Sequence, residues 1–274
     1  MGNAEVQSIH VYPVKAFRGL ALREAVVERW GLAGDRRWAL IDDGGKVVTQ
    51  REQPRLALAA AEPMAGGGIR LSAPGHAPLP VGVPEPAATV PVNIFGTKVE
   101  AVPAAADAHA WCSAWLRADV RLVHLDDPAT RRPVDPEYAL PGETVSFADG
   151  YPLLVTTVAS LDALNSLIAE GRYADEGPLP MNRFRPSVVV AGTDPWAEDH
   201  WTRLAVGEVV FRVPKSCGRC VVTTTDQATA ERGREPLHTL AQHRRIDGRL
   251  VFGQNLVPVS PGTIRTGDPV RVIE

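Results

Sequence analysis

Short alternating segments dominate the first fifty residues. "VQSIHVYPV" (6–14), "REAVVERW" (23–30), "RRWALID" (36–42) and "KVVTQR" (46–51) mix period-two alternation with brief apolar runs, the pattern of half-buried strands. "DDGGK" (42–46) between the last two predicts a tight hairpin turn. Residues 61–86, "AEPMAGGGIRLSAPGHAPLPVGVPEP", are rich in Pro, Gly and Ala, and predict one weak strand within a long loop.

Helical periodicity first appears at "AAADAHAWCSAWL" (104–116), where Ala104, Ala108, Trp111 and Trp115 share a face and Asp107 suits the N-terminal dipole. "VRLVHL" (120–125) returns to a strand. A second helix is predicted at "VASLDALNSLIAE" (158–170), with Val158, Leu161, Leu164 and Ile168 inward and Gly171 as the stop. A third, short one covers "PLHTLAQHR" (236–244), with Pro236 in its first turn. Strands are predicted at "PSVVVAG", "VVFRV", "CVVTTT", "LVFGQNLVPV" and "PVRVI". Strands outnumber helices without alternating with them, which excludes a doubly wound parallel sheet and predicts an α+β, β-rich fold. Residues 126–151 carry four prolines and little periodicity, so a functional loop and a domain junction are placed there, dividing the chain into 1–126 and 127–274.

At 274 residues the chain can hold one large domain or two ordinary ones. Its 45% hydrophobic content suffices for a core, and a net charge of −3 without a basic block gives no support to nonspecific nucleic-acid binding. The N-terminal residues lack a signal-peptide pattern, and Val6 breaks the myristoylation motif that Gly2 would open. No apolar run is long enough to predict a membrane span. Three cysteines without a secretion signal point to a reducing, cytoplasmic setting.

Two of those cysteines form C-x-x-C at Cys217 and Cys220. With His238 and His243 downstream the pair reads as half of a zinc site, although 17 intervening residues exceed the usual finger spacing. A thioredoxin-like dithiol calls for a helix start, where the chain instead has the β-branched run "VVTTT". A single thiolate on a soft metal is the third reading, favoured by the neighbouring cations Lys215 and Arg219. Two buried structural cysteines are the fourth; Gly218 and Arg219 between them are small and charged rather than apolar. Lys15, Arg36 and Arg185 stand at predicted strand ends, "FADGYP" places Asp149, Gly150 and Tyr151 in a turn, and "FGQN" puts Gln254 and Asn255 in a strand. Converging on Cys220, these groups would make a basic, amide-rich pocket for a phosphorylated heterocycle.

Taken together, "YPVK", "GDRRW", "VTQRE-PRLA", "FADGYPLLV", "RFRP", "CGRCVVTTTDQ", "EPLHTL-HR" and "FGQN" resemble the MOSC proteins, in order and over essentially the whole chain. The similarity is to members of the kind of the mitochondrial amidoxime-reducing component and its bacterial counterparts. It implies an N-terminal MOSC β-barrel-like domain packed on a C-terminal MOSC β-barrel domain, and a molybdenum cofactor (Mo-molybdopterin). It makes Cys220 the metal ligand, and Lys15, Arg36 and Arg185 the cations that hold phosphate and pterin. Asp149, Gly150, Tyr151, Ser187, Gly218, Arg219, Gln254 and Asn255 complete the implied cofactor site, with Asp226 a proton-handling group. The chain departs from the amidoxime reductases at Gly218 and Ala16, where they carry serine, at Ser187 (asparagine) and at Asn255 (tyrosine). The implied activity is reduction of a small N-hydroxylated substrate from N–OH to N–H. With no further cysteines for an iron–sulfur domain and no anchor, electrons are expected from a separate donor of flavin, iron–sulfur or haem type. The other reading is a cofactor-binding or sulfur-carrying protein without turnover.

Overall fold

A computed structural model describes residues 4–85 and 88–273. Gly2, and Pro86 at the end of the Pro/Gly-rich stretch, lie outside the described residues. The largest sheet runs Leu20–Leu22, Glu5–Val11, Val188–Ala191, Leu153–Thr157, Arg249–Pro258, Val209–Arg212, Arg203–Val206, Val270–Val272. Leu153–Thr157 and Val188–Ala191 pair in parallel, which requires a crossover, and the helix Val158–Ala169 provides it. Thr157 caps that helix by accepting from the Ser160 N–H, and Leu164 and Ile168 pack with Phe184, Leu240 and Phe252. Across this sheet the apolar core is formed by residues such as Ile9, Val155, Val188, Phe211 and Leu256.

The N-terminal segment is woven into the C-terminal half. Glu5–Val11 pairs antiparallel with Val188–Ala191, and Glu24–Glu28 pairs with Gly262–Arg265. A four-stranded sheet joins Trp38–Ile41, Arg121–His124, Thr97–Pro103 and Val90–Ile94. The helix Ala106–Leu116 sits where periodicity predicts it, burying Ala108, Cys112, Trp115 and Leu116. The α+β, β-rich class expected from the sequence is the one observed.

Three local expectations are corrected. Residues 61–86 hold more than one weak strand: Ala60–Pro63, Ile69–Ala73 and His76–Val81 form an antiparallel sheet. Ile69 and Leu71 anchor it by burial, and Pro78 and Pro80 lie on its edge strand, where a missing N–H is tolerated. "KVVTQR" is an irregular loop with single bridges at Val47 and Lys46. Its Thr49 hydroxyl bonds Glu52 and the Arg51 N–H, diverting the backbone from a ladder. "CVVTTT" is a single 3₁₀ turn, Val221–Thr224. The Thr223 and Thr224 hydroxyls donate to the carbonyls of Cys220 and Val221, a local bond that competes with extended pairing.

Candidate functional site

A partly open cleft lies between the N-terminal loops and the C-terminal sheet. One wall comes from Lys15, Ala16, Arg36, Thr49, Gln50 and Arg51, the other from Phe184, Arg185, Cys217 to Cys220 and Asn255. Asp149, Gly150 and Tyr151 close one end. Each position has a local cause. Lys15 follows the first strand and is fixed by its N–H bond to the Trp38 carbonyl (2.8 Å). Arg185 follows a 3₁₀ turn whose Phe184 stacks on Phe252 at 3.9 Å, a contact worth about 0.5–1.5 kcal/mol beyond burial. Ala16, Arg36 and Arg185 all have left-handed backbones, with φ of 69°, 47° and 55°. Non-glycine residues hold that conformation only where their surroundings over-determine it, and such positions concentrate at functional sites.

Five cations line the cleft, Lys15, Arg36, Arg51, Arg185 and Arg219, against one carboxylate, Asp149. The Lys15 side chain is 4% exposed and that of Asp149 is 67% exposed. Burial pushes the Lys15 ammonium down to about 8, and Asp149 opposes the shift. Desolvation would raise the Asp149 carboxyl, but Lys15, Arg51 and Arg36 outweigh it and hold it well below the usual carboxylate range. Burial likewise lowers Arg185 to about 10. The loop that presents Asp149 is threaded on buried Arg132, whose guanidinium donates to the carbonyls of Ser146 (2.9 Å), Ala148 (2.5 Å) and Asp149 (2.6 Å).

All three cysteines are free thiols; Cys112 is buried, and Cys217 and Cys220 are half-buried. Arg219 donates to the Cys217 sulfur at 2.9 Å and to the Phe184 carbonyl at 2.6 Å. Lys215, expected to act on the thiols, instead pairs with Asp135 (3.5 Å) and lies over the Tyr138 ring. The cation beside Cys220 is Arg51, contributed by the opposite wall, which also pairs with Asp149 at 3.5 Å. Among the described residues no group of three or more His, Cys, Asp or Glu could hold a metal ion unaided. His238 meets Tyr173 edge-on at 4.9 Å, so the four-ligand zinc arrangement is not formed.

Residues 3–119 match the MOSC N-terminal beta barrel domain, and residues 142–271 match the MOSC domain. The chain is 32% identical over 286 residues to mitochondrial amidoxime-reducing component 1 of Homo sapiens, covering 98% of this chain and 82% of that one. The chain belongs to the MOSC family. MOSC relatives also include molybdenum cofactor sulfurase of Oryza sativa subsp. japonica, 27% identical over 92% of this chain and 32% of that protein. Among solved structures, the YUAD protein from Bacillus subtilis aligns over 98% of this chain and 94% of its own, with a TM-score of 0.44 and 10% identity.

In this MOSC chain the cleft gathers Lys15, Arg36, Asp149, Gly150, Tyr151, Arg185, Gly218, Arg219, Cys220 and Asn255, all named from sequence. Three other named residues fall outside its lining. Ser187 is buried, its hydroxyl accepting from the Leu154 N–H at 3.3 Å. Gln254 points away from Asn255, as strand alternation requires, and donates to Asp199 at 3.1 Å. Asp226 is committed to Arg183 (3.0 Å) and to the backbone N–H groups of Ala228 and Thr229 (2.8 and 3.0 Å), a turn-forming role. Sequence reasoning missed Thr49, Gln50 and Arg51, because "VTQR" passes for a strand. Gln50 exchanges amide bonds with Gln227 (3.2 and 3.1 Å) and donates to the Ala16 carbonyl at 2.6 Å, joining the two walls. No helix among the described residues is long and apolar enough to cross a membrane.

Proposed function

We propose that this chain binds molybdenum cofactor in the cleft and reduces small N-hydroxylated compounds. The net reaction is R–NH–OH + 2 e⁻ + 2 H⁺ → R–NH₂ + H₂O, with a separate flavin, iron–sulfur or haem protein as the electron source. The observation that carries this reading is the Cys220 thiol opening into a cleft with five cations and a single carboxylate. That donor set fits an anionic, phosphate-bearing group delivering a sulfur-seeking metal: the charge surplus suits the phosphate and the thiol suits the metal. Bound there, the cofactor supplies two-electron oxygen-abstraction chemistry that side chains lack.

The chain's own residues do the rest. Lys15, Arg36 and Arg185 hold the phosphate through charge-assisted hydrogen bonds. Cys220 is the protein's sulfur ligand, with Arg51 of the opposite wall beside it. Asn255, held by bonds to the Lys215 and Ser216 carbonyls (3.3 Å each), presents an amide edge to the cleft. Residues 1–126 bring Lys15, Arg36 and Arg51, and 127–274 the sulfur-bearing wall with Arg185 and Arg219, in a cytoplasmic setting that three free thiols suit. Steady-state reduction of benzamidoxime by the metal-loaded protein, with a chemical electron donor, tests the reading. Turnover supports it. Full metal loading without turnover assigns the chain instead to cofactor carriage, the reading that its likeness to a cofactor sulfurase favours.

A further inference from the structure

We infer that Tyr12 is a positioning residue whose ring holds the Arg36 and Arg185 guanidiniums together as one anion-binding unit. The inference rests on the cofactor reading for its biological ligand, but its geometry is independent of it. The Tyr12 ring centroid is 4.5 Å from the Arg36 guanidinium carbon and 4.3 Å from that of Arg185, both within cation–π range. The two cations repel each other, and the electron-rich ring between them, with the carboxylate network, offsets part of that repulsion. Neither arginine is held by carboxylates alone. Arg36 pairs with Asp35, and among the described residues Arg185 hydrogen-bonds the neutral amide oxygen of Gln227, at 3.3 Å.

The ring is itself locked. Tyr12 is buried, and its hydroxyl donates to the Pro186 carbonyl at 3.0 Å, one residue beyond Arg185. Its backbone N–H donates to Asp35 at 2.7 Å, the same carboxylate that pairs with Arg36, while the Arg36 N–H returns to the Tyr12 carbonyl at 2.7 Å. Gly19 supplies the seat, since a Cβ there would overlap the Tyr12 ring. Two arginines distant in sequence, both on left-handed backbones, are thereby referenced to one aromatic plane. An arriving phosphate meets a pair already arranged, so less ordering is charged against binding.

The test uses the full-length apoprotein titrated calorimetrically with inorganic pyrophosphate, beside thermal melts of each variant. Tyr12→Phe keeps the ring and should stay within about twofold of wild type, as the cation–π contacts are retained. Tyr12→Leu should bind about tenfold more weakly, the combined worth of two modest cation–π contacts. Gly19→Ala, which removes neither the ring nor a guanidinium, should also weaken binding by crowding the ring off its seat. Should Tyr12→Leu fail to fold, Gly19→Ala and Tyr12→Phe decide. A folded Tyr12→Leu or Gly19→Ala with wild-type affinity overturns the inference, as does equal loss in Tyr12→Phe, which would assign the effect to the hydroxyl bond. Wild type without measurable pyrophosphate binding also overturns it. Wild type that binds pyrophosphate but retains no pterin from a cofactor-competent host refutes the cofactor reading and leaves the Tyr12 result standing.

Discussion

The two walls of the cleft differ in what they carry and in how they are held. The wall from Lys15, Arg36 and Arg51 carries charge on loops and left-handed corners, fixed by backbone bonds to neighbouring strands. The wall from Arg185 to Asn255 carries the sulfur, on a short strand and a 3₁₀ turn backed by the large sheet and the Phe184–Phe252 stack. Each wall is incomplete alone. Cys220 has Arg51 beside it from the other side, and Lys15 has its carboxylate, Asp149, at the cleft's end. The sulfur thus comes from one wall alone and the cations from both, so single substitutions can remove either without the other.

Removing the sulfur should have the largest effect. Cys220→Ser should abolish metal retention and all N-hydroxyl reduction, because a hydroxyl is a poor ligand for a soft metal. Cys217→Ser should be milder, since its sulfur is engaged by Arg219. Metal content of both variants, read with X-ray absorption, checks this; equal loss with two protein sulfurs on the metal would contradict it.

Removing charge should weaken the site in steps. Lys15→Ala and Arg185→Ala should each cost about 1.5–3 kcal/mol of anion affinity, the range for hydrogen bonds to charged groups. Apoprotein melts run alongside separate this from a loss of fold. The Lys15 charge also predicts a pH profile. Anion binding favours the protonated ammonium, so affinity should be flat below about pH 8 and fall as pH rises through the value to which burial lowers Lys15. Lys15→Arg should flatten that fall, and a profile unchanged by the substitution would remove Lys15 from the anion site.

Loosening the joint between the walls should act on stability. Gln50→Ala strips a buried amide from Gln227 and the Ala16 carbonyl, and should cost about 1–3 kcal/mol in a denaturant titration. A loss within error would mean that the walls are held together elsewhere. The smallest effect is expected away from both walls. A double His238→Gln, His243→Gln variant should keep its metal and change stability by no more than roughly 0.5 kcal/mol. Metal release from it would restore the zinc reading.

Much of this was legible in the chain. The helices at 106–116 and 158–169 followed their periodicity, and the pairing of "PSVVVAG" with other strands followed its β-branched run. Motif residues led to ten positions in the cleft, because strand ends and glycine turns are where a β-rich fold exposes functional side chains. What stayed hidden depended on tertiary context. Thr49 to Arg51 and Val221 to Thr224 carry strand-forming residues, yet threonine hydroxyls bond their own backbone and bend both segments. Asp226 stood next to the cysteine motif, but only coordinates reveal its commitment to Arg183 and a turn. Arg51 was missed as the cation beside Cys220 because 169 positions of sequence separate residues that folding brings together.

The most direct test is metal and pterin analysis of the full chain purified from a cofactor-competent host, followed by X-ray absorption at the metal edge. The account predicts molybdenum with its pterin, and one protein sulfur that Cys220→Ser removes and Cys217→Ser does not. One equivalent of zinc in place of molybdenum, without pterin, would contradict it.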